Sequence, residues 1–318
     1  MSLISRLAGL HGAMLLLVTA MIWGSAFIFQ KGAAETVDAL TFNALRFGIA
    51  VPALLLLYLL PKKLFQPSAA VMQSAKRQYS AWWVGGAAGF FMYIGINLQQ
   101  WGLAYTTAGK SGFLTSLYMI LVPILALFIR QRCPLEVWIG AVITFVGVYF
   151  LGSHDGTLDA ELSFNIGDVM TLFCALGWAA QVLWLAIFAR YSNVLNVAII
   201  QMITVSGLSF FTMAVLALFG HFTLPSWETI WGIRDAILYT GIISGAFAFT
   251  LQIVGQRHID ATSAALIMST EAVFAFVFGV MFLGESVTVK ILLGFALILT
   301  GIILAQLQGK LFKKTKAY

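Results

Sequence analysis

Charged residues are scarce in this chain. Only 9% of the 318 residues are charged, while 61% are hydrophobic and the mean hydropathy is +0.95. Soluble globular domains carry about 25% charged residues. A chain with so little polar surface does not stay dissolved in water, so a soluble protein is excluded. The net charge of +6 comes from basic residues that flank apolar runs, so it does not predict a nucleic-acid partner.

Cysteine and histidine are too few and too scattered to build a metal or covalent site. The two cysteines, Cys133 and Cys174, lack metal-ligand spacing, and no two of the four histidines pair at helical spacing. The segment Ala108–Ser111 resembles the end of a P-loop, but Ala104 stands where that motif needs its first glycine. No G-x-S-x-G motif occurs. We therefore expect no enzyme, no metal and no cofactor.

Long apolar runs are what the chain has in abundance. They predict ten membrane spans, and helices are expected because each segment must satisfy its own backbone in lipid. The first run is about as long as a membrane crossing, so we interpret it as a retained anchor rather than a cleaved signal. The spans are expected near residues 10–30, 39–60, 80–102, 110–129, 135–151, 168–188, 195–219, 235–254, 261–283 and 288–308.

The distribution of Lys and Arg predicts the orientation. Thirteen of the 18 basic residues fall on the side of the two termini, and four fall on the opposite side. By the positive-inside rule, both termini face the cytoplasm of an inner (plasma) membrane. The linker between spans 5 and 6 carries Asp155, Asp159 and Glu161 without a basic residue, so it is expected to face outward.

The chain repeats itself with an offset of about 153 to 156 residues. Trp23 aligns with Trp178, and the pairs Gly85/Gly241, Gly89/Gly245, Gly140/Gly294 and Gly147/Gly301 also align. Because each half contains five spans, the second half must enter the bilayer upside down. The predicted fold is thus an all-α polytopic membrane protein of ten transmembrane helices, built as two inverted five-helix repeats at 1–152 and 153–318.

Two ionisable residues, Arg46 and Glu271, lie well inside predicted spans. A charged group at such a depth costs about 2.5–3.5 kcal/mol or more, so both should face the bundle interior. One interpretation is a structural ion pair that locks two helices. The other is a site for a substrate or a proton.

Further polar and aromatic residues share helix faces near these charges. Polar side chains in a bilayer face neighbouring helices or a water-filled cavity, and aromatic walls bind flat or cationic groups. The sequence therefore predicts one substrate cavity with two kinds of lining. Hydrogen bonds are expected from Asn97, Gln100, Ser111 and Gln181, and aromatic walls from Trp23, Tyr93, Tyr118, Trp178 and Trp184.

Several stretches resemble the drug/metabolite transporter superfamily, in its ten-helix EamA-type group. They are Trp23–Phe27, Leu45–Phe47, Ala104–Pro123, Ala264–Glu271 and Gly284–Glu285. The resemblance covers nearly the whole chain and implies secondary transport of small organic solutes, mostly outward. The family pattern has proline after the glutamate of span 9. This chain has Ala272 there, which leaves a kink at that point open.

Together these observations predict an exporter of small metabolites such as amino acids, working by alternating access. A site with one acid and one base favours a zwitterion, and a coupling proton at Glu271 is a further expected partner. Efflux of hydrophobic organic cations or drugs is the alternative, and a receptor without transport is a third hypothesis. We expect the protein to be embedded in a lipid bilayer. The sequence leaves its oligomeric state open.

Overall fold

Helices make up the fold. The computed structural model describes residues 3–59, 79–106, 108–131, 133–152, 165–283 and 289–306, and no strand occurs in these ranges. The first half contains α1 (Leu3–Ala34), α2 (Ala39–Leu56), α3 (Ala81–Tyr105), α4 (Ala108–Ser116), α5 (Tyr118–Phe128) and α6 (Leu135–Gly152). The second half contains α7 (Ile166–Phe188), α8 (Val194–Leu218), α9 (Trp227–Gly232), α10 (Arg234–Leu238), a π-helix (Tyr239–Ala248), α11 (Phe249–Gln256), α12 (Ala261–Met268), α13 (Glu271–Leu283) and α14 (Val289–Gln306).

The helices are long and apolar enough for a multi-pass membrane protein. Among the described residues, seven stretches qualify as spans by length and hydropathy, beginning at Gly9, Ala39, Ala81, Ile166, Val194, Arg234 and Ala261. Three shorter apolar helices occur where spans 4, 5 and 10 were predicted, namely Leu114–Phe128, Leu135–Gly147 and Leu292–Ala305. The acidic linker with Asp155, the Gly284–Glu285 pair and the C-terminal tail lie outside the described residues.

Two of the predicted spans are interrupted near their middle. Span 4 divides between α4 and α5 at Leu117, and span 9 divides between α12 and α13 at Ser269 and Thr270. Side-chain hydroxyl groups donate hydrogen bonds to backbone carbonyls next to both breaks. Ser116 Oγ donates to Gly112 O and Ser269 Oγ donates to Leu266 O, each at 2.8 Å. Span 9 is therefore interrupted although the chain has Ala272 in place of proline.

Glycines bring α6 and α14 into backbone contact. A methyl group built on Gly140 would lie 2.5 Å from Gly301 O, and one on Gly147 would lie 2.7 Å from Gly294 O. No real side-chain atom sits this close, so these positions admit only glycine without moving a helix. Dispersion contact at such short range is what holds helices together in lipid.

The two G-x-x-x-G motifs also make the same kind of contact. A methyl on Gly85 would meet Ile200 Cβ at 2.9 Å, and one on Gly89 would meet Thr204 Cβ at 2.6 Å, both on α8. In the π-helix, a methyl on Gly241 would meet Arg46 O at 2.5 Å on α2. The α3–α8 and π-helix–α2 contacts thus use glycines that the repeat aligns.

Candidate functional site

A small cavity lies at the centre of the bundle, where segments of both halves meet. Its volume is about 30 Å³, which is room for roughly two water molecules. An amino acid does not fit unless the lining residues move. The lining residues are Trp23, Phe27, Gln30, Arg46, Phe47, Ile96, Gln99, Thr115, Tyr118, Trp178, Val182, Ser244, Phe249 and Glu271.

Aromatic rings form one wall of this cavity. The Phe249 ring centroid lies 4.8 Å from that of Trp23 and 6.0 Å from that of Trp178, and the Phe249 and Trp178 planes are nearly parallel at 13°. The two tryptophans also contact each other, with centroids 6.0 Å apart. Helices α1, α7 and α11 thus each contribute one ring to a continuous apolar surface.

Arg46 enters the cavity from α2 and is 2% exposed. Its guanidinium carbon lies 4.6 Å from the Phe47 ring centroid and 4.8 Å from that of Phe42, which are cation–π distances. Its Nε donates to Asn43 Oδ1 at 2.9 Å, and Asn43 Nδ2 donates to Asn97 Oδ1 at 2.9 Å. This chain of contacts fixes the orientation of the guanidinium group and leaves Nη2 without a partner in the described part of the chain.

Glu271 is the first residue of α13, and Tyr118 is the first residue of α5. Both are almost fully buried and both line the cavity. Among the ion pairs between described residues, none joins Glu271 to Arg46. The structural ion pair considered from the sequence is therefore not formed in this conformation.

Six lining residues carry a buried polar atom that has no hydrogen-bond partner among the described residues. A buried polar atom left in this state costs about 1–3 kcal/mol, so a cluster of them indicates a site for a polar ligand or water. Four can donate, and the other two can accept. The donors are Trp23 Nε1, Arg46 Nη2, Tyr118 Oη and Trp178 Nε1, and the acceptors are Gln30 Oε1 and Glu271 Oε1.

Five of the eleven residues predicted from the sequence line this cavity: Trp23, Arg46, Tyr118, Trp178 and Glu271. Two others do not line it: Asn97 connects to Arg46 through Asn43, and the Tyr93 side chain contacts Thr212. Asn97 accepts from Asn43 and donates to Tyr93 O at 2.9 Å, while Tyr93 Oη is 2.7 Å from Thr212 Oγ1. Asn97 thus supports the residue that orients Arg46.

The remaining four predicted residues do not line the cavity, although three of them are buried. Gln100 Nε2 donates to Gln30 O at 2.9 Å, and Ser111 is completely buried in α4. Gln181 and Gln252 exchange two hydrogen bonds of 3.1 Å each. Trp184 donates to Val84 O at 3.1 Å and contacts Trp83, so this indole packs between helices.

The sequence-based prediction missed nine lining residues: Phe27, Gln30, Phe47, Ile96, Gln99, Thr115, Val182, Ser244 and Phe249. Most are apolar and look like ordinary span residues. Gln30 and Gln99 did carry a signal, because a carboxamide inside a membrane span needs a polar neighbour. Gln99 finds one in Thr115, whose Oγ1 accepts from Gln99 Nε2 at 2.9 Å.

The loop that follows α11 carries two basic residues just outside the spans. Desolvation lowers the pKa of Arg257 to about 10, which leaves it charged at neutral pH. Desolvation also lowers the pKa of His258, and the neighbouring His11 and Arg257 lower it further. His258 is therefore held in its neutral form to a lower pH than a free histidine.

Comparison with known proteins shows which family this chain belongs to. The model of the EamA-like transporter family matches the chain twice, at residues 10–153 and 165–307. The chain belongs to the EamA-like transporter family. This confirms the resemblance to the drug/metabolite transporter superfamily, and it makes the protein a membrane transporter.

The names of individual relatives agree with membership of this family. An "Uncharacterized transporter" of Archaeoglobus fulgidus is 32% identical over 92% of this chain and 85% of its own length. "Uncharacterized transporter YoaV" of Bacillus subtilis is 25% identical over 89% of this chain and 92% of its own. A solved structure described as "Crystal structure of protein" superposes with a TM-score of 0.69 at 20% identity, covering 96% of this chain and 99% of that one. That likeness shows a shared fold.

Proposed function

We propose that this EamA-family transporter is a secondary transporter that exports a small zwitterionic metabolite, such as an amino acid, by alternating access. It works in the inner membrane with both termini in the cytoplasm. Its two halves, residues 1–152 and 153–318, are inverted repeats of five helices each. The substrate binds in the central cavity between them.

The observation that carries this proposal is the set of unpartnered polar atoms in the cavity. An ammonium group donates three hydrogen bonds and needs acceptors, which Glu271 Oε1 and Gln30 Oε1 offer. A carboxylate needs donors, which Arg46 Nη2 and the two indole N–H groups of Trp23 and Trp178 offer. A zwitterion is the simplest small molecule that carries both groups.

Three observations support the inverted repeat. The family model matches each half separately. Both interrupted spans break at positions that the repeat aligns, so Ser116 corresponds to Ser269 and Tyr118 to Glu271. The glycine contacts between α6 and α14 are reciprocal: Gly140 meets Gly301, while their repeat counterparts Gly294 and Gly147 meet each other. Reciprocal contacts of this kind are expected around a two-fold axis.

The size of the cavity supports alternating access. At about 30 Å³ it has far less room than an amino acid needs, so the residues around the cavity must move before a substrate binds. Substrate entry and release then require the halves to move relative to each other. The interrupted spans meet the cavity at Tyr118 and Glu271, which is where irregular helices line the substrate sites of transporters with inverted repeats.

Purified protein in liposomes tests this proposal directly. Labelled amino acids, other metabolites and organic cations are offered in turn, and uptake into the lumen is compared with protein-free liposomes. We expect saturable flux of a zwitterionic solute, and its abolition by Arg46→Ala. Binding of solutes without any crossing of the bilayer would favour the receptor hypothesis instead.

Efflux of hydrophobic organic cations is the second candidate. It is favoured by the aromatic surface of Trp23, Trp178 and Phe249 and by Glu271 being unpaired with Arg46 among the described residues. The two candidates separate on one variant, because Arg46→Ala should abolish zwitterion transport but spare cation transport.

A further inference from the structure

A second cavity lies at the end of the bundle that the predicted topology places in the cytoplasm. Its volume is about 240 Å³, several times that of the central cavity, so it has room for a solute of amino-acid size. Its walls come from the ends of predicted spans 3, 4, 6 and 9 that lie on the same side of the membrane. We call it the mouth pocket, and its lining includes Tyr79, Gln131, Ala186, Arg190, Tyr191 and Asp260.

The mouth pocket and the central cavity follow one another along the same face of α7. Val182 lines the central cavity, and Ala186 lines the mouth pocket. Residues four apart lie on one face of a helix and about 6 Å from each other along its axis. About one helical turn therefore separates the two cavities on this face of α7, and the mouth pocket is the one nearer the cytoplasm in the predicted orientation.

Arg190 supplies a positive charge of fixed orientation to the mouth pocket. It lies in the short 3₁₀ turn after α7 (Ala189–Tyr191), and its Nε and Nη2 donate to Ala186 O at 3.2 and 2.9 Å. These bonds hold the guanidinium group against the last turn of α7 and leave Nη1 for a ligand in the described part of the chain. Guanidinium N–H groups make strong charge-assisted hydrogen bonds to carboxylates, so Arg190 can receive a carboxylate here.

Asp260 brings a negative charge to the same pocket. Its Oδ1 accepts from Ser263 N at 3.0 Å and thereby caps α12, while a carboxylate can accept about four hydrogen bonds in all. Arg190 and Asp260 form no ion pair with each other among the described residues. The pocket therefore offers a base and an acid that do not neutralise each other by direct contact.

Tyr79 and Tyr191 form an aromatic wall beside these two charges. Their ring centroids lie 6.2 Å apart, and the Tyr79 ring meets the Phe188 ring edge to face at 5.0 Å. Ser192 Oγ donates to Tyr79 O at 2.8 Å, so the loop after α7 holds Tyr79 in place. Aromatic faces attract ammonium groups, so the wall favours a cation next to Asp260.

We propose that the mouth pocket is a first binding site for the transported zwitterion, with Arg190 holding its carboxylate and Asp260 holding its ammonium group. The inference rests on the proposed function and adds a site outside the central cavity. An anion alone would gain from Arg190 but would be repelled by Asp260, so a ligand that carries both charges is favoured. The central cavity combines a base and an acid in the same way, with Arg46 and Glu271.

Cysteine protection tests this site directly. The full chain carries Cys133→Ala and Cys174→Ala, with Gln131→Cys as the reporter in the mouth pocket. A charged thiol reagent modifies the reporter in detergent-purified protein while amino acids are added one at a time. The amino acid that slows the reaction most is then compared with two analogues, one lacking its amino group and one lacking its carboxyl group. Each analogue should need a roughly tenfold higher concentration for the same protection.

Two variants each remove one charge of the pocket. Arg190→Gln removes the base, while Asp260→Asn removes the acid and keeps a side-chain oxygen that can cap α12. Each should raise the amino-acid concentration for half-protection by roughly tenfold. Arg130→Gln is the control, because it removes a basic residue next to the reporter that does not line the pocket. Glu271→Gln should also leave protection unchanged, because Glu271 lines the central cavity instead.

The inference is overturned if no amino acid protects the reporter, or if Arg190→Gln and Arg130→Gln change protection equally. It is also overturned if vesicles containing phosphatidylethanolamine protect the reporter and added amino acids give no further protection, because the pocket then holds a lipid headgroup.

Uptake into liposomes separates this inference from the proposed function. Flux of an amino acid that gives no protection would refute the mouth site alone. Protection that depends on Arg190 and Asp260, without flux of any amino acid, would refute the proposed transport and leave the binding site standing.

Discussion

Tyr118 and Glu271 each stand directly after a break in a predicted membrane span, Tyr118 as the first residue of α5 and Glu271 as the first residue of α13. Both line the central cavity. One carries a phenol and the other a carboxyl group, so the predicted repeat aligns two residues of different chemistry. This pair defines where a proton or an ammonium group is expected to act.

We expect Glu271→Gln to remove coupling of transport to protons while keeping the shape of the site. Flux of the zwitterionic substrate should fall at least tenfold, and its dependence on pH should disappear. Counterflow in liposomes over a range of pH measures both. Tyr118→Phe is the matched control at the equivalent position, because it keeps the ring and removes only the hydroxyl. Unchanged pH dependence in Glu271→Gln would exclude proton coupling through this carboxyl group.

Asn43→Leu should weaken binding of carboxylate-bearing solutes even though Asn43 does not line the cavity. Asn43 Oδ1 accepts from Arg46 Nε, and loss of such a hydrogen bond to a charged group costs about 1.5–3 kcal/mol. We expect the KM for the zwitterion to rise roughly tenfold, with a smaller change for solutes that lack a carboxylate. Thr300→Val on the exposed face of α14 serves as control. Equal effects on both solute classes would mean a structural role only.

Gly301→Leu should destabilise the contact between α6 and α14. A side chain there would meet Gly140 O at 2.5 Å and would also collide with Thr144 Oγ1, so the helices must separate. Overpacking of this kind costs about 1–3 kcal/mol. Gly207→Leu is the control, because a methyl at Gly207 has nothing within 4 Å. Thermal unfolding in detergent compares the two, and equal melting temperatures would contradict the proposed packing.

The linker between the halves and the C-terminal tail should be found on opposite sides of the membrane. An epitope inserted near Asp155 is expected outside, and one after Tyr318 inside. Antibody labelling of intact and permeabilised cells distinguishes the sides. Detection of both epitopes on one side would rule out the inverted arrangement of the two halves.

Acid should loosen the junction between α1 and the α11–α12 loop through His258. Its lowered pKa means that the native protein binds this proton less well than the unfolded chain does. Its stabilising contribution is therefore complete above about pH 6.5 and is lost as pH falls through the native pKa. His258→Gln should reduce the change in melting temperature between pH 7.5 and pH 5, whereas His221→Gln should not. If His258→Gln leaves the slope of melting temperature against pH unchanged, that slope comes from other titrating groups.

The lengths of the apolar runs in the sequence made most of the helices predictable. The observed helices begin and end within a few residues of most predicted spans, because lipid requires about 20 apolar residues per crossing. The break at Ser269 and Thr270 was not predictable from proline or glycine. Neither residue is a strong helix breaker, and the interruption depends on hydroxyl groups that satisfy the freed carbonyls.

The site was predicted in part, for a reason that Asn97 illustrates. Helical periodicity predicted that Asn97 lies on a polar face of α3, but it does not tell which neighbouring helix that face meets. In the structure Asn97 accepts a hydrogen bond from Asn43 on α2, and Asn43 in turn accepts one from Arg46. Trp184 shows the same limit, since its indole meets Trp83 on α3 and lies away from the cavity.

The reciprocal glycine contacts between α6 and α14 have a consequence for how such units can associate. Gly140 and Gly147 lie seven residues apart on α6, and they meet Gly301 and Gly294, which lie seven residues apart on α14. If the two halves are repeats, one half already contains both complementary positions. Two copies of that unit related by a two-fold axis would then bring the same glycines together along this edge.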